Sequence, residues 1–137
     1  MGQISLSAGV PATVVGLLRE LRSARGTGAI QVGGTPGGAV FLIDGRIAYA
    51  ETPGTRGLGE RLVASGRVSA AAWQTAVREG HGARVLVRDG LIGRHELSLR
   101  AMAVIGDAVR ALLASDAPVH FVPGQRHWLG DVVAHRP

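Results

Sequence analysis

The sequence predicts an α+β fold, a small antiparallel sheet with an N-terminal helix and an inserted helical block of two helix-turn-helix-like repeats. Three observations carry that prediction. Apolar residues recur with a helical period near the start of the chain and again from about residue 57 to 114. Between those stretches the period drops to two around Asp44-Gly45, a strong hairpin signal. Within the helical stretch, Leu62-Val-Ala-Ser-Gly-Arg-Val recurs as Leu86-Val-Arg-Asp-Gly-Leu-Ile, 24 positions on.

The first helix is expected over residues 11–25, where Val14, Val15, Leu17, Leu18 and Leu21 form a stripe and Pro11 stands at the start, where its missing N–H costs least. Gly26-Thr27-Gly28 should end it. Ala29–Val32 reads as a short strand and Gly33–Gly38 as its exit turn. Two antiparallel strands, Ala39–Ile43 and Arg46–Glu51, flank Asp44-Gly45. After Thr52-Pro53-Gly54 the sequence predicts helices at 57–65, 69–79, 82–89 and 94–114. Gly66 and Gly90 suit left-handed helix ends, and Ser69 suits an N-cap, so one helix-turn-helix unit is used twice. In the last helix Leu97, Ala101, Val104, Ile105, Ala108, Leu112 and Leu113, with Met102 and Val109 beside them, make a stripe wider than one packing face needs. That width points to burial on two sides, the second against another subunit. Pro118–Pro123 returns as a strand. The single domain, 1–137, thus divides into helix and sheet (11–52 and 118–123), helical insert (57–114) and tail (124–137).

Apolar residues make up 46% of the chain, enough for a folded core, and aromatics only 4%, so that core must be Leu, Val, Ile and Ala. All 15 basic residues are arginine, a mark of GC-rich coding. They are spread among acids with no polybasic tract, which weakens the case for a nucleic-acid partner that a net charge of +5 would suggest. The absence of cysteine excludes disulfides and thiol chemistry. The segment MGQISLSAGVPA is no signal peptide, and no stretch reaches ~18 apolar residues, so no membrane insertion is expected and the chain is placed in the cytoplasm.

The order of elements carries a resemblance. With Thr-Gly-Ala-Ile-Gln-Val at 27–32, the hairpin FLIDGRIAYA at 41–50, the helical block, and Val-His-Phe-Val-Pro at 119–123, the chain resembles the PATAN-type (PatA N-terminus-like) regulatory domain in its actinobacterial version. The likeness runs from about Val14 to Gly130 and centres on Asp44-Gly45-Arg46-Ile47-Ala48-Tyr49-Ala50. It implies a bacterial regulatory domain without catalysis, acting through protein contacts and through dimerisation by its helical insert. The sequence carries no receiver or kinase segment. The implied partner is therefore a separate signalling protein: a response regulator, kinase, small GTPase or motor ATPase. A second resemblance covers GLGERLVASGRVSAAAW, residues 57–73, which is similar to the N-terminal helical domains of pilus and secretion ATPases, some of which bind cyclic di-GMP. Where that family has its ligand-binding Arg and Gln, this chain has Gly57 and Gly80, and His81 and Val104 in the second copy. Cyclic di-GMP binding is accordingly a minor alternative.

No cofactor, metal or catalytic residue is expected. The glycine runs at 26–28 and 33–38 lie between helix and strand or strand and strand, and lysine is missing, so neither is a P-loop. No serine sits in a Gly-x-Ser-x-Gly elbow that could use His81 and Asp107. Glu60 and Glu79 fall among arginines and read as ion-pair partners. His127, Asp131 and His135 are spaced to share a helix face as metal ligands, but they lie in the tail, where fraying is the default. The expected interface residues are Arg46 and Tyr49 on the strand after the hairpin, Met102, Val104, Ile105, Ala108, Val109 and Leu112 on the last helix, and Trp128 after the last strand. Trp73, at the position of Leu97 in the other copy, reads as core. The competing reading is a DNA-binding helix-turn-helix, with Arg94, His95 and Arg100 on a recognition helix and Arg84 and Arg88 on the backbone.

Overall fold

Residues 13–35, 37–79 and 82–127 are described by a computed structural model. Its elements are α1 (Val14–Ala24), β1 (Gly28–Val32), β2 (Gly38–Ile43), β3 (Arg46–Glu51), α2 (Leu58–Ala64), α3 (Ala70–Glu79), α4 (Gly82–Arg88), α5 (Arg94–Leu113) and β4 (Val119–Pro123). The α+β class and the element order are those expected from the sequence, with small shifts at the ends. Pro11 lies outside the described residues, and Thr13 opens α1 by accepting the Gly16 N–H on its hydroxyl at 2.9 Å. The helix closes on an arginine rather than on Gly26. Arg25 takes φ 53°, its N–H reaches the Arg22 carbonyl, and the Gly26 N–H reaches the Leu21 carbonyl at 2.9 Å, the paired bonds of a Schellman end.

The β2–β3 hairpin docks on that end. Asp44 and Gly45 both have positive φ, 52° and 81°, the two-residue turn whose twist matches the flanking strands. The Gly45 N–H donates to the Gly26 carbonyl at 2.8 Å and the Asp44 N–H to Thr27 Oγ1 at 2.9 Å. A Cβ on Gly45 would lie 3.0 Å from Arg22 Cα, so only glycine allows this approach.

The sheet is antiparallel throughout, in the order β3-β2-β1-β4. The β4 strand returns after the whole helical block to pair with β1, Ile30 opposite Phe121. Between β2 and β3 the register slips, Phe41 facing Tyr49 and Leu42 facing Ile47, which leaves Ala48 as a bulge. Strand alternation then sorts the side chains into two cores. Ile30, Val32, Val40, Leu42 and Ala50 pack with Val14, Leu17 and Leu21 of α1 and with Ala108 and Leu112 of α5. On the other face Ala29, Ala39, Phe41 and Tyr49 join the helical block through Leu58, Leu62, Leu86, Leu97 and Val104. The α5 helix packs against β3 and contributes to both cores, and Ile105 packs against each.

The sequence repeat is a structural repeat at the level of single hydrogen bonds. In the first copy Gly66 (φ 77°) donates to the Val63 carbonyl at 3.1 Å and Arg67 to that of Leu62 at 3.0 Å. In the second, Gly90 (φ 72°) donates to Val87 at 3.0 Å and Leu91 to Leu86 at 3.0 Å. Leu62 and Leu86 are both fully buried, as are their partners Val68 and Ile92. Ser69 caps α3, its Oγ accepting from Ala72 at 3.0 Å, whereas Gly93 opens α5 with no side-chain bond. One packing pair differs between the copies, and the two changes compensate. Trp73 lies on Gly59, where a Cβ would overlap the indole ring, while the second copy has Leu97 for the tryptophan and Ala83 for the glycine.

Gly59→Ala is therefore expected to destabilise the chain by about 1–3 kcal/mol through overpacking. Gly59→Ala with Trp73→Leu, which copies the pair of the second repeat, should recover part of that loss in urea unfolding. An equal loss in the double variant would show that the two repeats do not share a packing solution.

Candidate functional site

The α5 helix has two apolar sides. Its inner side buries Leu97, Ala101, Val104, Ala108 and Leu112. Three residues expected at a subunit interface, Val104, Ala108 and Leu112, are thus consumed inside the chain, at 1%, 0% and 3% exposure. The reason is that one helix must finish two cores, which takes up most of the width that the sequence assigns to a second subunit. Ile105 and Val109 are half-buried. Met102 is 53% exposed, and with it stand Leu99 at 55% and Leu113 at 41%. Leu99, Met102, Gly106, Val109 and Leu113 alternate steps of three and four, which places them about 140° around the helix from the buried stripe. Leu99 was missed in the sequence, although this second three-and-four spacing was there to be read. Gly106 stands at the middle of the stripe. A Cβ there would meet only the Arg110 guanidinium, at 3.5 Å, so no contact inside the chain requires a residue that costs about 1 kcal/mol in a helix interior.

The sheet face carrying Tyr49 is closed. Tyr49 is 4% exposed and lies under His127, ring centroids 4.4 Å apart, with Phe41 5.1 Å from the same imidazole. His127 Nε2 stands 2.8 Å from Glu51 Oε1, and Gln31 Nε2 donates to Gln125 Oε1 at 2.6 Å. Burial, with a smaller push from Glu51, raises the Tyr49 hydroxyl to about 12, against opposing pulls from the Leu58 backbone and Arg61. Tyr49 is thus a core residue rather than a contact residue, because the segment after β4 folds back over it. Trp128, Asp131 and His135 lie outside the described residues, as does His81. Among the described residues no three His, Cys, Asp or Glu side chains are grouped to hold a metal, and no helix is long and apolar enough to cross a membrane.

Two sets of arginines stand out. Those of the helical block are mostly bound to acids. Arg67 makes a bidentate pair with Glu96 at 2.8 and 2.6 Å, Arg100 bonds the same carboxylate at 2.9 Å, and Arg61 bonds Asp107 at 2.7 Å, with Arg110 on its other oxygen. Arg56 pairs with Glu60 at 3.2 Å, and Arg88 with Asp89 at 2.9 Å and Glu79 at 3.4 Å. Hydrogen bonding from Arg67, then Arg100, holds the Glu96 carboxyl at about 2, and Arg61 foremost holds that of Asp107 below its usual range. Of the expected DNA contacts, Arg88 and Arg100 are therefore occupied, while Arg84, Arg94 and His95 are exposed. Among the arginines without an acid partner in the described residues, Arg22, Arg25 and Arg46, all exposed, are brought together. They line one open cleft of about 1190 Å³ with Leu18, Ile43 and Ile47. Arg46 keeps its expected accessibility there, but beside α1 rather than on an open sheet face.

Comparison with protein-family models, with curated proteins and with solved structures returns no match.

The Glu96 carboxyl is held below its ordinary value of 4.5, so its pairs favour the folded chain above that pH and lose their effect as pH falls toward 2. Glu96→Gln is expected to lower the urea midpoint at about pH 6 and to match the parent near pH 2. A difference persisting at the lower pH would place the stabilisation elsewhere.

Proposed function

We propose that this chain is a PATAN-type, non-enzymatic bacterial signalling adaptor, cytoplasmic, that works through protein contacts and pairs with a second copy through α5. The observation that supports this most directly is the exposed set Leu99, Met102 and Leu113, with Gly106 and half-buried Val109, which also packs on the inner core, between them. Apolar side chains at heptad spacing on a helix of 20 residues are the pattern by which one helix seats against another. A central glycine lets two backbones approach where a side chain would hold them apart. The perturbed carboxylates fit a binding module too, since Glu96 and Asp107 owe their shifts to arginines tying helices together rather than to a reaction cleft. A seam about four turns long is at the low end of what a specific interface buries, so association is concentration-dependent. The signalling partner is a response regulator, kinase, small GTPase or motor ATPase.

The test has to avoid the inner stripe. An unpaired carboxylate at Val104 or Ala108 would cost several kcal/mol against a total stability of roughly 5–15, and would unfold the chain rather than dissociate it. Leu99→Glu with Met102→Glu changes only exposed side chains. Light scattering of the parent should show mass rising with concentration to that of a dimer. The double variant should keep the parent's circular dichroism and stay monomeric. A parent that is monomeric up to about millimolar concentration, or a dimer indifferent to both substitutions, overturns the reading. Retention on duplex DNA that falls steeply with salt and is weakened by Arg94→Ala would replace it with the DNA-binding one.

A further inference from the structure

The hairpin tip and the end of α1 are held together by the Gly45–Gly26 and Asp44–Thr27 hydrogen bonds, so the cleft between them is a fixed feature. Its floor is aliphatic, formed by half-buried Leu18, Ile43 and Ile47. Around it stand Arg22 and Arg25 from the last turn and cap of α1 and Arg46 from the start of β3. The one acid on the cleft, Asp44, makes no ion pair with them. Six arginines in and around the helical block, Arg56, Arg61, Arg67, Arg88, Arg100 and Arg110, are bonded to carboxylates, whereas the three on the cleft are gathered from two elements around one hollow with none among the described residues. Three guanidinium groups left without acids around an aliphatic floor form a surface complementary to carboxylates interspersed with aliphatic side chains.

We infer that the cleft between the end of α1 and the β2–β3 turn docks an acidic, leucine- or isoleucine-bearing segment of a partner protein, with its carboxylates on Arg22, Arg25 and Arg46. Nucleic acid fits less well. The cleft offers no aromatic ring for a base to stack on. The floor is apolar where a phosphate backbone would lie. The inference rests on the reading of the chain as a protein-contact module but uses no residue of the α5 stripe, so the two can fail separately.

A short peptide of Glu-Glu-Leu repeats, titrated into the full isotope-labelled chain at low salt, is the probe. Amide shifts are expected to map to residues 18–27 and 43–47 and to weaken with added salt. Arg22→Glu and Arg46→Glu, both at exposed positions, should each weaken binding about tenfold. The same peptide with glutamine for glutamate should bind at least about tenfold more weakly. Met102→Glu should leave the mapped shifts unchanged, which separates the cleft from self-association. Absence of shifts at millimolar peptide, shifts mapping elsewhere, or equal binding of the glutamine peptide overturns the proposal. So does tighter binding of single-stranded DNA at the same residues, which would make the cleft a nucleic-acid site.

Discussion

Everything in this fold depends on α5 completing two cores at once. The sheet turns Ile30, Val40 and Leu42 to one side and Ala29, Phe41 and Tyr49 to the other, and neither face can be left to water. The α1 helix serves only the first face and α2 to α4 only the second. Residues of α5 enter both: Leu97, Ala101 and Val104 belong to one core, Ala108 and Leu112 to the other, with Ile105 against each. At 1.5 Å per residue a helix of 20 residues is about 30 Å long, enough to run from one core to the other and return the chain to the sheet as β4. The alanines at 101 and 108, both fully buried, let it lie close to β3.

The ion pairs add orientation to that packing. Arg61 and Asp107 connect α2 to α5, and Arg67 with Glu96 connects the turn of the first repeat to the opening of α5. These pairs are partly exposed, and pairs of that kind are individually weak. Buried Leu58, Leu62, Leu86 and Leu97 contribute about 1.5–3 kcal/mol each by comparison. The apolar contacts therefore decide that the block folds, and the arginines help to decide how its repeats are set against α5. Glu96 also falls in the first turn of α5, where a negative charge suits the helix dipole.

What was legible in the sequence is what the backbone demands of particular residues. Asp44-Gly45 announces a hairpin because both positions need positive φ, and Gly66 and Gly90 announce helix ends for the same reason. Ser69 reads as a cap because its hydroxyl replaces a missing carbonyl. The misreadings have another origin. The first helix ends in a left-handed Arg25 before the glycines expected to end it, because the Schellman bonds and the docked hairpin hold it there. Tyr49 is covered by His127, 78 residues further along the chain, and no local pattern signals such a cover. On α5 the inner and outer stripes have the same helical spacing, so periodicity alone could not say which met the sheet. The arginine cleft was invisible for a related reason: Arg46 joins Arg22 and Arg25 only after the hairpin tip has docked on α1.

The outer stripe of α5 and the arginine cleft share no residue, and they belong to different elements. Contact at one therefore does not consume the other. A copy paired through α5 keeps its cleft, so a dimer offers two clefts in one particle. A partner bearing two acidic segments that can span them then binds with an avidity exceeding either single contact by a factor of about 10²–10⁴, without any new contact being made. On those terms the proposed seam and cleft need not bind tightly one by one. Under the proposed pairing, self-association would be the step that sets affinity for a two-segment partner.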